Sequence, residues 1–176
     1  MSTRTVLHEA DIARALTRIA HEILESNRGA DGLVILGIPT RGITLAERIG
    51  ALIEEFSQCS VPVGELDVTM YRDDLSQNPT RSPQRTAIPA GGIDGKVVIL
   101  VDDVLFSGRT IRAALDALQD IGRPAVVRLA TLIDRGHREL PIRPDFVGKN
   151  LPSARDERVN VRLAGIDDIE EVTIGS

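Results

Sequence analysis

Two adjacent carboxylates, Asp102 and Asp103, stand between the apolar run VVILV (97–101) and the small, hydroxyl-rich turn LFSGRT (105–110). The carboxyl end of a parallel strand is where open α/β sheets bind their ligands. Bare carboxylates there repel phosphate. They are suited instead to accept hydrogen bonds from ribose hydroxyls, or to face a divalent ion bound to those hydroxyls. Ser107, Gly108 and Thr110 come next, at the mouth of a helix. Backbone N–H groups there, with two hydroxyls, form a nest for a phosphate, and the glycine lets its oxygens approach the main chain. One window thus offers both halves of a sugar-phosphate site. The plain alternative is a strand-end acid pair with an N-capping hydroxyl and no ligand. Other phosphate signatures are missing: Gly108 is followed by Arg109 rather than by the lysine and hydroxyl of a P-loop, and no GxGxxG run occurs. No His/Cys cluster suggests zinc, and Cys59 has no histidine beside it in sequence.

The surrounding pattern alternates strands and helices, which predicts a mostly parallel α/β sheet. Residues 11–29 repeat Ile12, Leu16, Ile19, Ile23 and Leu24 at helical spacing, with Gly29 placed to end the helix. LVIL (33–36) reads as a short strand leading through GIPTRG into a second helix with Leu45, Ile49, Leu52, Ile53 and Phe56 on one side. ELDVTMY (65–71) alternates as a strand does, and residues 72–95, with three prolines and three glycines, read as a long exposed loop. VVILV is a continuous apolar strand of the kind buried on both faces; a helix over 110–121 and a strand over 125–134 follow. The tail from about 134 is irregular, with strands expected at 159–163 and 171–174.

At 176 residues, with 42% hydrophobic and 27% charged residues, the chain suits one soluble domain spanning 1–176. Three Phe, one Tyr and no Trp mean an aliphatic core, and exclude aromatic stacking as the main grip on bases. The lone Cys59, read as a semi-buried thiol after a helix, excludes an internal disulfide and suits a reducing compartment. The N-terminal residues have no apolar run long enough for export, and nothing approaches a membrane span, so a cytoplasmic protein without membrane contact is expected. A net charge of −5 argues against indiscriminate nucleic-acid binding. Yet of 21 basic residues only Lys96 and Lys149 are lysines, and the rigid fork of arginine suits phosphates and carboxylates.

The segment VILVDDVLFSGRT (98–110) resembles the phosphoribosyl-diphosphate motif of type I phosphoribosyltransferases. RALTRIAHEI (14–23), TRGI (40–43), YRDDL (71–75) and DRGHRELPIRPDFVGKN (134–150) resemble one family among them, the bifunctional pyrimidine operon regulators with uracil phosphoribosyltransferase activity, or PyrR family. The resemblance covers nearly the whole chain. It implies a central sheet flanked by helices, a flexible lid over about 72–93 and a small hood over about 134–176. It also implies that uracil and 5-phospho-α-D-ribose 1-diphosphate give UMP and diphosphate. Asp102 and Asp103 then hold the ribose hydroxyls and, mainly through these and water, Mg2+, while Val104, Leu105, Phe106, Ser107, Gly108, Arg109 and Thr110 wrap the 5′-phosphate. Gly37–Gly42 becomes the diphosphate loop, with Thr40 and Arg41 as contacts, Arg41 joining the two acids as catalytic, and Pro39 restricting Ile38 within it. In the lid, Arg72, Arg81 and Arg85 sweep over diphosphate, and Asp73 and Asp74 hold metal-linked water or the arginines. Arg135, His137 and Arg138 lie near the nucleotide, and backbone around Val159 reads the uracil edge. A structural or phosphate-contacting duty suits His137 as well as that of general base.

The first helix carries a second signal, because its aliphatics leave Arg14, Thr17, Arg18 and His21 on the other side, with Arg28 at its end. A solvated face is the plain account. The resemblance implies that this face, with Lys149, binds leader mRNA of the pyrimidine (pyr) operon when UMP or UTP is bound, and that a homodimer, or a tetramer or hexamer of such chains, multiplies the face. The alternatives are a uracil salvage enzyme without RNA binding, a regulator with decayed catalysis, and a type I enzyme for purines or orotate. The intact acid pair and turn argue against the second, and DRGHRELP against the third.

Overall fold

The computed structural model describes residues 2–73 and 86–176. Parallel strands β2 (Leu33–Gly37), β3 (Val63–Glu65), β4 (Val97–Leu105), β5 (Val126–Asp134) and β6 (Phe146–Asn150) form the main sheet in the order β3-β2-β4-β5-β6. Helices α1 (Glu9–Asn27) and α2 (Arg41–Ser57) cover one face and α3 (Arg109–Gln119) the other. A separate antiparallel sheet, β1-β8-β7, joins β1 (Arg4–His8), β8 (Glu171–Gly175) and β7 (Arg158–Arg162).

Side-chain parity explains the two cores. On β2, Leu33 and Ile35 point toward α1 and α2, while Val34 and Leu36 point toward α3, and β4 alternates likewise with Ile99 and Val101 against Val98 and Leu100. Strands buried on both faces read as unbroken apolar runs, as LVIL and VVILV do. Helix α1 is held at its start by the His8 N–H donating to Asp11 Oδ2 (2.9 Å). At its end Arg28 takes the left-handed conformation, with Gly29 following at φ +121°.

Four expectations change. The strand expected over 65–71 stops at Glu65, because the Asp67 carboxylate accepts from the N–H (2.9 Å) and hydroxyl (2.7 Å) of Thr69 and turns the chain into a 3-10 turn at Thr69–Tyr71. Strand β4 runs on to Leu105, so the acid pair lies within the strand rather than after it. The tail is divided: Phe146–Asn150 belongs to the main sheet as its edge, and the small sheet recruits Arg4–His8 from the other end of the chain. The sequence FVGKN hides its strand because Gly148, Lys149 and Asn150 dilute the apolar pattern; a Cβ at Gly148 would lie 2.5 Å from the Leu132 carbonyl oxygen. Cys59 is exposed, not semi-buried.

The join between β2 and α2 is tight. A Cβ on Gly37 would meet the Gly42 carbonyl oxygen at 2.5 Å, and one on Gly42 the Val101 carbonyl oxygen at 2.5 Å. Both neighbours are main chain and cannot swing aside. Gly37→Ala is therefore expected to push the start of α2 off the sheet, lowering stability by about 1–3 kcal/mol as overpacking does, read as a lower urea midpoint at unchanged slope.

Candidate functional site

The last rung between β2 and β4 is Gly37 with Val101, and the Ile38 N–H then caps the Val101 carbonyl (2.9 Å). Strand β5 accompanies β4 further, to Leu105 opposite Asp134. Residues 102–105 are thus braced along one edge and face away from β2 along the other. Asp102 is only 8% exposed. Its Oδ1 accepts the Asp103 N–H (2.9 Å), and Asp103 Oδ1 accepts the Val104 N–H (2.8 Å), so the strand's own backbone fixes both carboxylates.

Two adjoining cavities open here. One of about 510 Å³ is lined by Arg72, Asp73, Asp102 and the run Val104, Leu105, Phe106, Ser107, Gly108, Arg109, Thr110 and Ile111. The other, of about 200 Å³, is lined by Ile38, Pro39, Asp67, Val68, Thr69, Arg72, Asp102, Asp103, Val104 and Thr110. The expected phosphate turn, acid pair and lid root therefore meet in one place, with the first residues of the expected diphosphate loop beside them. Asp67 and Thr69 belong to this site too; the Asp-x-Thr spacing of a side-chain turn was their signal. Asp74, Arg81 and Arg85 fall outside the described residues.

A frame of arginines holds the turn. Arg138 donates to the carbonyls of Phe106 (2.9 Å) and Ile142 (2.8 Å) and to Asp134 (2.7 Å), which makes it a brace behind the turn. The Ser107 carbonyl accepts the N–H groups of Glu139 (2.9 Å) and Leu140 (3.1 Å). Gly108 sits at φ +93° as the cap of α3, and a Cβ there would come 3.1 Å from Ile142. The Arg109 N–H donates to Ser107 Oγ (3.3 Å), while its guanidinium spans Glu139 (2.9 Å) and Asp73 (2.6 Å). Glu139 also accepts from Arg155 (2.6 Å), and the hydrogen bond from Arg109 is the main cause that holds its carboxyl below the usual glutamate range.

Arg135 and His137 surround Phe106. The Arg135 guanidinium lies 4.3 Å from the ring centroid and donates to Ser153 Oγ (3.2 Å) and the Ala154 carbonyl (2.8 Å); burial lowers its pKa. His137, in the left-handed conformation, donates from Nε2 to the Ser153 carbonyl (2.6 Å) and sets its ring edgewise to Phe106. That nitrogen is committed as a donor, which favours the structural duty over the general base. Val159 packs its side chain against the larger hydrophobic core.

Helix α2 begins at Arg41, after a cis peptide between Pro39 and Thr40. The Arg41 guanidinium forks onto Asp167, with Nε to Oδ2 at 3.2 Å and Nη2 to Oδ1 at 2.8 Å. Asp167 also accepts the Leu163 N–H (2.8 Å), and Arg41 first, then Leu163, hold its carboxyl below the usual aspartate range. Nothing in the acidic tail singled Asp167 out in sequence.

On α1, Arg14, Thr17, Arg18 and His21 line a shallow groove of about 480 Å³, shared with Glu22 and Glu25. Arg14 and Arg18 also border a second depression with Gly148 and Lys149, so the fold brings Lys149 beside the helix. Arg18 donates to the carbonyls of Val147 (3.0 Å) and Gly148 (2.6 Å) and to Glu22 (2.8 Å), and Arg14 pairs with Asp11. His21 stacks on Phe56, with ring centroids 4.0 Å apart. Arg28 is exposed at the end of the helix and lines neither depression. Among the described residues no helix is long and apolar enough to cross a membrane. Also among them, no three His, Cys, Asp or Glu side chains cluster so as to hold a metal by themselves.

Comparison with known proteins agrees with this geometry. Residues 2–163 match the phosphoribosyl transferase domain family. The chain is 69% identical to the bifunctional protein PyrR of Leifsonia xyli, over 99% of this chain and 97% of that one, and 62% identical to that of Streptomyces coelicolor, over 98% and 90%. Among solved structures it superposes on a hypoxanthine phosphoribosyltransferase of Trypanosoma cruzi with a TM-score of 0.75 at 17% identity, covering 98% of this chain and 91% of that one. A hypoxanthine-guanine phosphoribosyltransferase of Bacillus anthracis gives 0.72 at 18% identity, covering 98% of each. Those two likenesses speak for the fold alone. With a family model matching residues 2–163 and relatives of this identity along nearly its full length, the chain belongs to the type I phosphoribosyltransferases, in the PyrR family.

Proposed function

We propose that the protein is a pyrimidine-responsive regulator of the pyr operon that is also a uracil phosphoribosyltransferase, converting uracil and 5-phospho-α-D-ribose 1-diphosphate to UMP and diphosphate. The observation that carries the enzymatic half is the single cavity lined by Asp102 and by the whole turn from Val104 to Thr110. Asp102 and Asp103 accept the ribose hydroxyls, and the Ser107–Thr110 turn with the start of α3 receives the 5′-phosphate. The Gly37–Gly42 loop takes the diphosphate. As the bond from ribose C1 to diphosphate breaks and the bond to uracil N1 forms, negative charge gathers on the leaving group, where Arg41 and the N-terminus of α2 face it. Two carboxylates beside ribose hydroxyls are a hard oxygen set that suits Mg2+ completed by substrate and water, and the ion when bound would neutralise diphosphate charge. Arg138 and Arg135 serve by keeping the turn and Phe106 in place.

For the regulatory half, the face of Arg14, Thr17, Arg18 and His21 beside Lys149 supports recognition of leader mRNA through phosphates and exposed bases, with UMP or UTP as the co-ligand. A homodimer presents that face twice.

Asp103→Asn, which keeps shape but removes charge, is expected to lower kcat/KM for phosphoribosyl diphosphate by about 10- to 100-fold, the worth of a hydrogen bond to a charged group. KM for uracil should stay close to wild type in the same UMP-formation assay. For RNA, titration with the chain's own pyr leader should show tighter, sequence-selective binding when UMP is present. In a log–log salt plot, Lys149→Ala should flatten the slope by about 0.7 for a lost phosphate contact on unpaired RNA. Absence of selective binding at every UMP concentration would leave uracil salvage as the whole function.

A further inference from the structure

The loop between β7 and β8 grips α2 at two places. Asp167 takes Arg41, the first residue of the helix, and Glu170 takes Arg48 (2.8 Å), seven residues or two turns further along the same face. Each carboxylate is itself fixed by its loop's main chain: Asp167 by the Leu163 N–H (2.8 Å) and Glu170 by the Ala164 N–H (3.1 Å). The Glu170 side chain is only 4% exposed. This is a built dock between the small sheet and the start of α2, not a passing surface pair.

The fork onto Asp167 uses the Nε and Nη2 side of the Arg41 guanidinium. A guanidinium has five N–H donors in a plane, so its far edge, carrying Nη1 and the second Nη2 hydrogen, is left to meet another anion. An arginine pinned along one edge gives up its rotamer freedom before the ligand arrives rather than when it binds.

We propose that Asp167 is a positioning residue for the leaving diphosphate, holding Arg41 by one edge so that the other edge faces the diphosphate oxygens. The proposal rests on the reading of Gly37–Gly42 as the diphosphate loop. It has a rival with the opposite sign. If diphosphate had to pull Arg41 off Asp167, the carboxylate would be a competitor and its removal would tighten binding.

The test is a double-mutant cycle on the purified full-length chain, with Asp167→Asn, Arg41→Ala and the pair, measuring UMP formation at varied phosphoribosyl diphosphate and uracil. Asn keeps the acceptor for the Leu163 N–H, and unfolding in urea verifies that each variant is folded; Asp167→Glu is the charge-preserving control. Asp167→Asn is expected to lower kcat/KM for phosphoribosyl diphosphate about tenfold by loosening a positioned group, with KM for uracil moved less than about twofold. Asp167→Glu should recover most of the loss. In the Arg41→Ala background, Asp167→Asn should cost nothing further, which a merely structural role would not produce. An unchanged or improved kcat/KM in Asp167→Asn, with Arg41→Ala impaired, overturns the proposal and leaves the diphosphate-loop reading standing. Full loss persisting in the Arg41→Ala background overturns it as well. If Arg41→Ala is itself unimpaired, the diphosphate-loop reading falls and takes the proposal with it.

Discussion

Strand β4 is paired for different lengths on its two edges, and the site exists because of that difference. On the β2 side the ladder ends at Val101; on the β5 side it continues to Leu105. A strand end free on both edges would fray, and one paired on both would have no room for a ligand. Half-pairing keeps residues 102–105 extended and rigid while turning an edge toward the space β2 vacates. The tight glycine contacts at Gly37 and Gly42 decide where β2 leaves, because only a residue without Cβ lets the chain turn into α2 that close to β4. The first residues of α3 then line the larger cavity, and the loop into α2 reaches the smaller one at Ile38 and Pro39.

Around this backbone, charge is managed almost wholly by arginine. Arg138 satisfies two carbonyls and a carboxylate at once, Arg135 two partners and a ring face, Arg109 two carboxylates, and Arg41 both oxygens of one. A lysine has no planar fork with which to do this. Two of these four side chains, Arg138 and Arg135, thereby fix main chain near the cavity, while Arg109 and Arg41 are held by carboxylates. On α1 the same habit tempers the basic face, where Asp11 and Glu22 pair with Arg14 and Arg18. Exposed pairs of this kind add little stability. Their effect is to reduce the net positive charge of that face.

The sequence showed what depends on local pattern and hid what depends on long-range pairing. The buried strands LVIL and VVILV, the three helices and the acid-pair turn were legible because periodicity and residue type decide them within a short window. Strand β6 was not, because an edge strand with Gly148 at a close approach to Leu132 has little apolar pattern to show. Nor was β1, whose identity as a strand comes from its pairing with β8, more than 160 residues away. ELDVTMY misled because its alternation is real but Asp67 spends its carboxylate on Thr69, a competition that periodicity does not register. In the site, residue types pointed to a stretch that lines a cavity and left their duties ambiguous. Arg138 and Arg135 were read as lying near the nucleotide; the structure adds partners the sequence did not show, Asp134 and two carbonyls for Arg138, and Ser153, the Ala154 carbonyl and the Phe106 ring for Arg135, while Asp167 had no local signature at all.

The two proposed activities share a short stretch of sheet. Val104 of the larger cavity is paired with Ile133 of β5, and Ile133 with Lys149 of β6. Two strand spacings, about 10 Å, separate the cavity wall from the residue beside the α1 face. Helix α1 is in turn tied to that edge strand by Arg18, which donates to the carbonyls of Val147 and Gly148. For a nucleotide to govern RNA binding it must favour one arrangement of the RNA face over another. A ladder of main-chain pairs three strands wide, with the helix bonded to its last member, is a stiff connection over which a small shift at β4 need not be dissipated by side-chain repacking. Such a connection also runs both ways. By linkage, if nucleotide tightens the proposed RNA face, RNA bound there tightens the proposed nucleotide site by the same factor.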